Sequence, residues 1–270
     1  MRLAVDGHTV YVYTGARAFD AALPTVVFVH GAALDHSAWA LQSRYFAHHG
    51  YNVVAVDLPG HGRSGGAALG SIRSIADWIF ALLDAMEITQ ATLIGHSMGA
   101  LATLDAAGRQ AARVMRLALL GPSVPMPVSD VLLDAARGDE QLAYEMITRW
   151  SFSAAHQLGG NQQPGMWMTG NGMRLMERCM PGVLHTDLLA CHKYTGGLAA
   201  AATLRCPVLL LLGESDQMAP PRNAQALIAA LDRPSVLTIP GCGHSLMAEA
   251  PDAVLDALRG FLRRTAELTP

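Results

Sequence analysis

The chain has 270 residues, of which 51% are hydrophobic and 15% are charged, and its formal net charge is −3. A chain of this length and apolar content can bury a substantial core, which excludes intrinsic disorder. The weakly negative balance contains no block of like charges, which argues against nucleic acid or a membrane surface as a partner. The apolar runs are also shorter than the roughly 20 residues of a membrane-spanning helix.

The first residues and the cysteines bear on the cellular location. Residues 1–7 lead straight into strand-like sequence, without the basic and apolar regions of a secretory signal. The cysteines have neither the spacing of a zinc site nor that of a redox pair; they are Cys179, Cys191, Cys206 and Cys242. We therefore expect a cytoplasmic monomer or homodimer with reduced thiols and no metal.

The chain opens with a predicted hairpin, in which residues 3–5 and 9–13 alternate around an Asp6-Gly7 turn. The later apolar runs are continuous and rich in β-branched residues, as is typical of parallel strands buried on both faces. These runs cover residues 25–29, 51–56, 91–94, 116–120, 207–212 and 235–239.

Helical patterns lie between these runs. The clearest follows the spacing of one helix face between Ile72 and Met86, and others cover residues 98–107, 223–231 and 253–262. Strands that alternate with helices predict βαβ units, with helices on both faces of a mostly parallel sheet. The predicted fold class is therefore α/β.

The alternation breaks between about residues 121 and 203. This stretch is rich in proline, methionine and tryptophan, and it holds helical pieces near 131–136 and 141–150 but no convincing buried strand. We interpret residues 122–203 as a small helical cap inserted after the sixth strand of the sheet. Residues 1–121 and 204–270 then form the core domain.

The sequence Gly95-His96-Ser97-Met98-Gly99 carries the clearest chemical signal. It matches G-x-S-x-G and lies between an apolar run and a helical pattern, which is the context that this motif requires. The turn is tight enough to need small residues two positions before and after the serine. It exposes the serine oxygen at a helix N-terminus, which favours developing negative charge. Ser97 is therefore the predicted nucleophile.

A serine hydroxyl needs a general base. Of the eleven histidines, His244 follows the last predicted strand, at the same sheet edge as the Ser97 turn. Asp216 follows the run 207–212 and is the predicted acid that orients the imidazole. Glu214 and Asp130 remain alternatives for that role.

In this order, Ser, Asp and His resemble the α/β-hydrolase superfamily, over nearly the whole chain. His30-Gly31-Ala32 resembles its oxyanion-loop motif, and residues 57–64, which read DLPGHGRS, resemble its D-x-P-G-x-G-x-S loop. The resemblance implies the α/β-hydrolase fold, with a mostly parallel eight-stranded sheet. It also implies an oxyanion hole made by the backbone N–H groups of Ala32 and Met98. In the second loop, Arg63 is a candidate ion-pair partner of Asp57.

The composition of the cap bears on the substrate. Its methionines are suited to a pliable apolar pocket over Ser97. Trp150 and Trp167 of the cap, and Leu246 beside His244, are candidate substrate contacts. The cap sequence has no cluster of arginines, which argues against a polyanionic substrate.

These features predict a serine hydrolase that cleaves a small, fairly apolar carboxylic ester or lactone through an acyl-enzyme on Ser97, without a metal or organic cofactor. Three related activities remain open on the same fold: C–C bond hydrolysis, perhydrolysis and a lyase reaction. A small-molecule sensor that carries the triad is a further alternative. A serine at the centre of the G-x-S-x-G turn, the nucleophile elbow, argues against the dehalogenase and epoxide-hydrolase branches, which use an aspartate there.

Overall fold

The computed structural model describes residues 1–159 and 165–263, and a single sheet organises them. The strands are β1 (Arg2–Val5), β2 (His8–Tyr13), β3 (Thr25–Val29), β4 (Asn52–Val56), β5 (Ala91–His96), β6 (Val114–Leu120), β7 (Val208–Gly213) and β8 (Ser235–Ile239). They lie in the order β1-β2-β4-β3-β5-β6-β7-β8. The β1–β2 and β2–β4 pairs are antiparallel, and the remaining pairs are parallel. The predicted α/β-hydrolase fold with a mostly parallel sheet is confirmed.

The helices alternate with the strands, as the sequence pattern predicts. They are α1 (Ala40–Ala47), α2 (Ile72–Ala85), α3 (Met98–Arg109), α4 (Asp130–Gly138), α5 (Glu140–Ser151), α6 (Ala154–Gln157), α7 (Met168–Met176), α8 (Val183–Lys193), α9 (Gly197–Thr203), α10 (Gln225–Ala230), α11 (Leu246–Glu249) and α12 (Pro251–Arg263). The sequence analysis missed α1, because this helix buries the polar residues Gln42 and Ser43 beside Phe46 and so lacks a clean apolar period.

Two apolar layers cover the faces of the sheet. Successive side chains of a strand point to opposite faces. Val27 and Val29 of β3 accordingly join the layer that contains α2 and α3, whereas Val26 and Phe28 join the layer that contains α1 and α12. Strands β3, β4 and β5 are buried throughout, but four of the five residues of the edge strand β8 are exposed.

Helices α4 to α9 lie in the segment between β6 and β7. Side chains of α4, α5, α7 and α8 form an apolar cluster of their own, which also includes Ala33 from the loop after β3. Helix α9 packs instead on α3, where an ideal Cβ at Gly108 would lie 2.8 Å from the Cα of Ala200. Residues 160–164 of the predicted cap lie outside the described residues.

The loop after β4 is organised by the buried Asp57. Its carboxylate accepts hydrogen bonds from His36 Nδ1 at 2.6 Å, the His36 amide at 2.8 Å and the Arg63 amide at 2.9 Å. Burial opposes ionisation of Asp57, but the bonds from His36 hold its pKa below the ordinary value. The expected ion pair with Arg63 is corrected to a backbone contact, since the guanidinium lies over the Tyr11 ring, 4.9 Å from its centroid.

Within the two described ranges, no helix combines the length and apolarity that crossing a bilayer would require.

Candidate active site

The turn between β5 and α3 forces Ser97 into a conformation that few side chains adopt, with φ 53° and ψ −115°. The residues two positions before and after Ser97 must be glycine, because a side chain at either position would collide with the backbone. An ideal Cβ at Gly95 would lie 2.2 Å from the Gly99 carbonyl oxygen, and one at Gly99 would lie 2.3 Å from the Val29 carbonyl oxygen. The Ser97 amide donates to the Leu120 carbonyl at 2.9 Å, which fixes the turn to β6.

His244 and Asp216 meet at the carboxyl edge of the sheet. His244 Nδ1 lies 2.7 Å from Asp216 Oδ2, and the other carboxylate oxygen accepts the amides of Met218 at 2.8 Å and Ala219 at 2.7 Å. Burial opposes ionisation of Asp216, but His244 and the Ala219 amide hold its pKa below the ordinary value. An ionised Asp216 accepts from Nδ1–H, which leaves Nε2 of His244 as the basic nitrogen.

The two alternative acids lie elsewhere. Glu214 is exposed and accepts the Gly241 amide at 2.8 Å. Asp130 is exposed in the first turn of α4. Of the three carboxylates weighed from the sequence, Asp216 is the one in contact with His244.

His96 supports His244 from the core side. Its Nε2 lies 2.9 Å from the His244 carbonyl oxygen, and since a carbonyl only accepts, Nε2 carries the proton. Burial and the neighbouring His244 lower the pKa of His96 to about 3. His96 is therefore a neutral donor that fixes the His244 backbone.

The predicted oxyanion-loop motif, residues 30–32, passes close to the turn that carries Ser97. An ideal Cβ at Gly31 would lie 3.2 Å from the Ser97 Cβ, so glycine permits the approach. The Leu58 amide donates to His30 Nε2 at 3.1 Å, so Nδ1 carries the proton and donates to the Gly31 carbonyl at 2.8 Å. Ala32 lines the same cavity as Ser97.

The second donor predicted for the oxyanion hole is Met98, the first residue of α3. Amides at this position have no partner within the helix and point outward from its N-terminus. The assignments of Ala32 and Met98 stay predictions about backbone N–H groups.

Asp187 of α8 connects the helices after β6 to the loop after β3. Its Oδ2 accepts the Ala33 amide at 2.9 Å and lies 2.8 Å from His61 Nε2. Burial opposes protonation of His61, but the charge of Asp187 and its hydrogen bond raise the pKa of His61 above the ordinary value. His61 also lies 3.0 Å from the Pro59 carbonyl oxygen, so it connects its own loop to α8.

A cavity of about 250 Å³ has both Ser97 and His244 in its wall. Much of the remaining wall is apolar, with contributions from Leu132, Ile147 and Met176 of α4, α5 and α7. Met176 is one of the cap methionines expected at such a pocket, whereas Leu132 and Ile147 were not predicted, because one sequence does not show which face of each helix turns toward the serine.

Of the three predicted substrate contacts, the structure brings Trp150 to this cavity. Trp167 is 69% exposed, and its ring covers Gly170, where an ideal Cβ would lie 2.1 Å from Cε3. Leu246 is fully buried in the apolar layer that contains α12. The predictions for Trp167 and Leu246 are corrected accordingly, since neither side chain is among the described residues that line the cavity.

A second cavity, of about 350 Å³, adjoins the first. Among the described residues, five line both cavities: Leu34, His96, Phe152, Gly172 and Ser245. The Phe152 ring packs on the backbone of α7, since an ideal Cβ at Gly172 would lie 2.9 Å from its Cε2. Phe152 therefore forms part of the wall that the two cavities share.

The chain resembles hydrolases over most of its length. It is 24% identical over 246 residues to (E)-2-((N-methylformamido)methylene)succinate hydrolase of Acinetobacter baylyi, which covers 89% of this chain and 90% of that one. It is 30% identical over 257 residues to pimeloyl-[acyl-carrier protein] methyl ester esterase of Aromatoleum aromaticum, covering 88% and 99%.

A solved structure shows the same fold. The enol-lactonase of Burkholderia xenovorans LB400 superposes with a TM-score of 0.85 at 21% identity, covering 97% of this chain and 99% of that one. The model of the alpha/beta hydrolase family matches residues 26–257. The chain therefore belongs to the alpha/beta hydrolase family, and it is a hydrolase.

Proposed function

We propose that this hydrolase cleaves a small, fairly apolar carboxylic ester or lactone through an acyl-enzyme on Ser97. One observation carries the proposal. A serine on a strained elbow and a histidine hydrogen-bonded to a buried aspartate line a single cavity with largely apolar walls. Such a cavity fits an uncharged acyl group, and the esterase and the enol-lactonase named above have activities of this class.

The reaction follows from the roles of these groups. His244 Nε2 accepts the proton of Ser97 while Oγ bonds to the carbonyl carbon, and the carbonyl oxygen becomes an oxyanion. The amides of Ala32 and Met98 stabilise that charge, and one such donor is typically worth about 3–4 kcal/mol in the barrier. His244 then returns the proton to the departing alkoxide. Water, deprotonated by His244, cleaves the acyl-enzyme and regenerates Ser97.

The same proposal assigns roles to the rest of the molecule. We infer that residues 122–203 act as the cap, because α4, α5 and α7 contribute cavity walls. The four cysteines are free thiols, and burial raises the pKa of Cys179 to about 12, which makes it an inert thiol. Free thiols fit a reducing compartment such as the cytoplasm. We propose separately that the chain acts as a monomer or homodimer.

The test is the hydrolysis of p-nitrophenyl butyrate by Ser97→Ala. Loss of the nucleophile should lower kcat by at least about 10³-fold without changing the circular dichroism spectrum. Ser235→Ala, at an exposed position of β8, is the matched control and should retain full activity. Activity of Ser97→Ala close to that of the unmodified protein would refute the proposal.

A substrate panel separates ester hydrolysis from the other reactions of this fold. Simple esters, vinylogous diketones, and acetate with peroxide report on ester cleavage, C–C cleavage and perhydrolysis, respectively. We expect the highest kcat/KM with esters or lactones. Very slow turnover with a stable covalent adduct on Ser97, observed by mass spectrometry, would indicate a sensor instead.

A further inference from the structure

The backbone beside His244 is held by the end of α5. The His244 amide donates to the Ser151 carbonyl at 2.7 Å, and the Ser245 amide donates to the same oxygen at 3.1 Å. Ser151 is the last residue of α5, so the segment between β6 and β7 touches the main chain of the predicted base. These contacts are separate from the Asp216 and His96 contacts described above.

Glu249, the last residue of α11, joins the same two parts of the chain through its side chain. Its carboxylate is fully buried. Both oxygens lie 3.1 Å from the Gly243 amide, and Oε2 also accepts the Ser153 amide at 2.9 Å. His156 Nδ1 lies 2.9 Å from Oε2 and forms a hydrogen bond with the Ser153 hydroxyl group at 2.7 Å. A buried carboxylate is costly to keep, and the amide donors offset its lost hydration.

Gly243 is tightly packed against Ser151, Glu249 and Ser153. An ideal Cβ at Gly243 would lie 2.6 Å from the Ser151 carbonyl oxygen, 2.7 Å from Glu249 Oε1 and 2.8 Å from the Ser153 amide nitrogen. One at Gly213, on the other side, would lie 2.1 Å from the Gly243 carbonyl oxygen. A displacement of Glu249 must therefore shift residues 243–245, and with them the imidazole.

We propose that Glu249 is a positioning residue: its carboxylate fixes residues 243–245 to residues 151–156, and thereby holds the His244 imidazole between Asp216 and Ser97. The role of His244 as the base belongs to the proposed function, on which this inference rests. A misplacement of about 1 Å at a catalytic group can cost up to about a hundredfold in rate. The segment over the site therefore helps to align the base, in addition to lining the cavity.

The test uses Glu249→Gln, which keeps the size of the side chain but turns an N–H group toward one of the two amide donors. The matched control is Glu145→Gln, at an exposed position of α5. Active sites are titrated with a fluorophosphonate, and kcat is expressed per labelled site. We expect kcat to fall about tenfold in Glu249→Gln with KM within twofold, and no change in the control.

A second readout does not depend on turnover. The proton between His244 Nδ1 and Asp216 is followed by ¹H NMR, and we expect its signal to shift or broaden in Glu249→Gln but not in Glu145→Gln. An unshifted signal with normal kcat per labelled site overturns the inference, even where the melting temperature falls. If the unmodified protein hydrolyses no ester, the proposed function fails, and the NMR signal still decides the role of Glu249.

A further variant covers the case in which Glu249→Gln does not fold. His156→Ala removes the imidazole that lies 2.9 Å from the carboxylate, from a position nearer the surface. We expect the same direction of change, with kcat per labelled site lowered about threefold and the NMR signal shifted. A normal kcat and an unshifted signal in a folded His156→Ala protein would count against the inference.

Discussion

His244 is constrained through both its side chain and its main chain. Asp216 binds the imidazole at 2.7 Å, and His96 donates to the carbonyl at 2.9 Å. His244 and the Ala219 amide lower the pKa of Asp216, which favours the ionised carboxylate. An ionised acceptor fixes the tautomer of His244, and the tautomer decides whether Nε2 can take a proton.

Asp216→Asn tests this point at the scale of one residue. The amide can present an N–H group to Nδ1, which favours the tautomer with the proton on Nε2, so we expect kcat to fall about 10³-fold to 10⁴-fold. The measurement is the kcat for p-nitrophenyl butyrate per folded molecule. Glu214→Gln, on the same loop but exposed, is the control and should stay within twofold of the unmodified protein. A larger loss in Glu214→Gln would reverse the assignment of the acid.

At the scale of elements, the elbow depends on the closeness of β5, α3 and β3. Gly99→Ala would place a methyl group against the Val29 carbonyl, so we expect the free energy of unfolding to fall by about 2–4 kcal/mol. Gly138→Ala, at the end of α4, meets nothing within 4 Å and should be neutral or stabilising by up to about 1 kcal/mol. Urea denaturation compares the two. Equal stability of both variants would contradict the close packing of the elbow.

Phe152 separates the two cavities as part of their shared wall. Phe152→Ala should connect the cavity of about 250 Å³ with the one of about 350 Å³. We expect the ratio of kcat/KM for p-nitrophenyl octanoate to that for the butyrate to rise about tenfold, because a longer acyl chain gains apolar contact. Phe19→Ala, at an exposed position, should leave the ratio unchanged. A ratio that stays constant in Phe152→Ala would show that the second cavity receives no part of the acyl chain.

Strands and the helices between β6 and β7 differ in how far their residues can be interpreted from sequence. The run 25–29 is buried on both faces, so its position follows from apolarity alone and coincides with β3 (Thr25–Val29). Trp150 and Trp167 both lie between β6 and β7, and they have the same side-chain chemistry but different surroundings. Trp150 lines the cavity, whereas Trp167 covers Gly170. Their directions depend on how the helices pack together, which local periodicity does not encode.

The candidate site shows the same division. Ser97, Asp216 and His244 follow strand ends, and strand ends of a parallel sheet converge at one edge, so their meeting could be expected. The contacts of Glu249 and Asp187 join residues far apart in the chain through buried hydrogen bonds. The local sequence around Glu249 or Asp187 does not indicate which distant residue the carboxylate contacts.

At the scale of the whole molecule, the pair of His61 and Asp187 connects the core to α8. The pKa of His61 is raised in the folded protein, so its stabilising effect is complete below the ordinary value of 6.5 and is lost as pH rises through the raised value. We expect the difference in free energy of unfolding between the unmodified protein and His61→Gln to shrink from about pH 6 to about pH 9.

Denaturation curves across that range provide the measurement. His48→Gln is the control because His48 is exposed at the end of α1, and its difference from the unmodified protein should be small at every pH. A difference for His61→Gln that stays constant, or grows, with rising pH would contradict the ion pair.

The solvent exposure of the edge strand β8 bears on how the protein responds to heating. Four of its five residues are exposed, yet this strand leads into the turn that carries His244, whereas Ser97 stands on the fully buried β5. A sheet edge with few buried apolar contacts unfolds locally at a lower free-energy cost than the buried core does. Mild heating should therefore displace His244 while Ser97 is still in place, so that under the proposed function ester hydrolysis falls below the melting transition and returns on cooling.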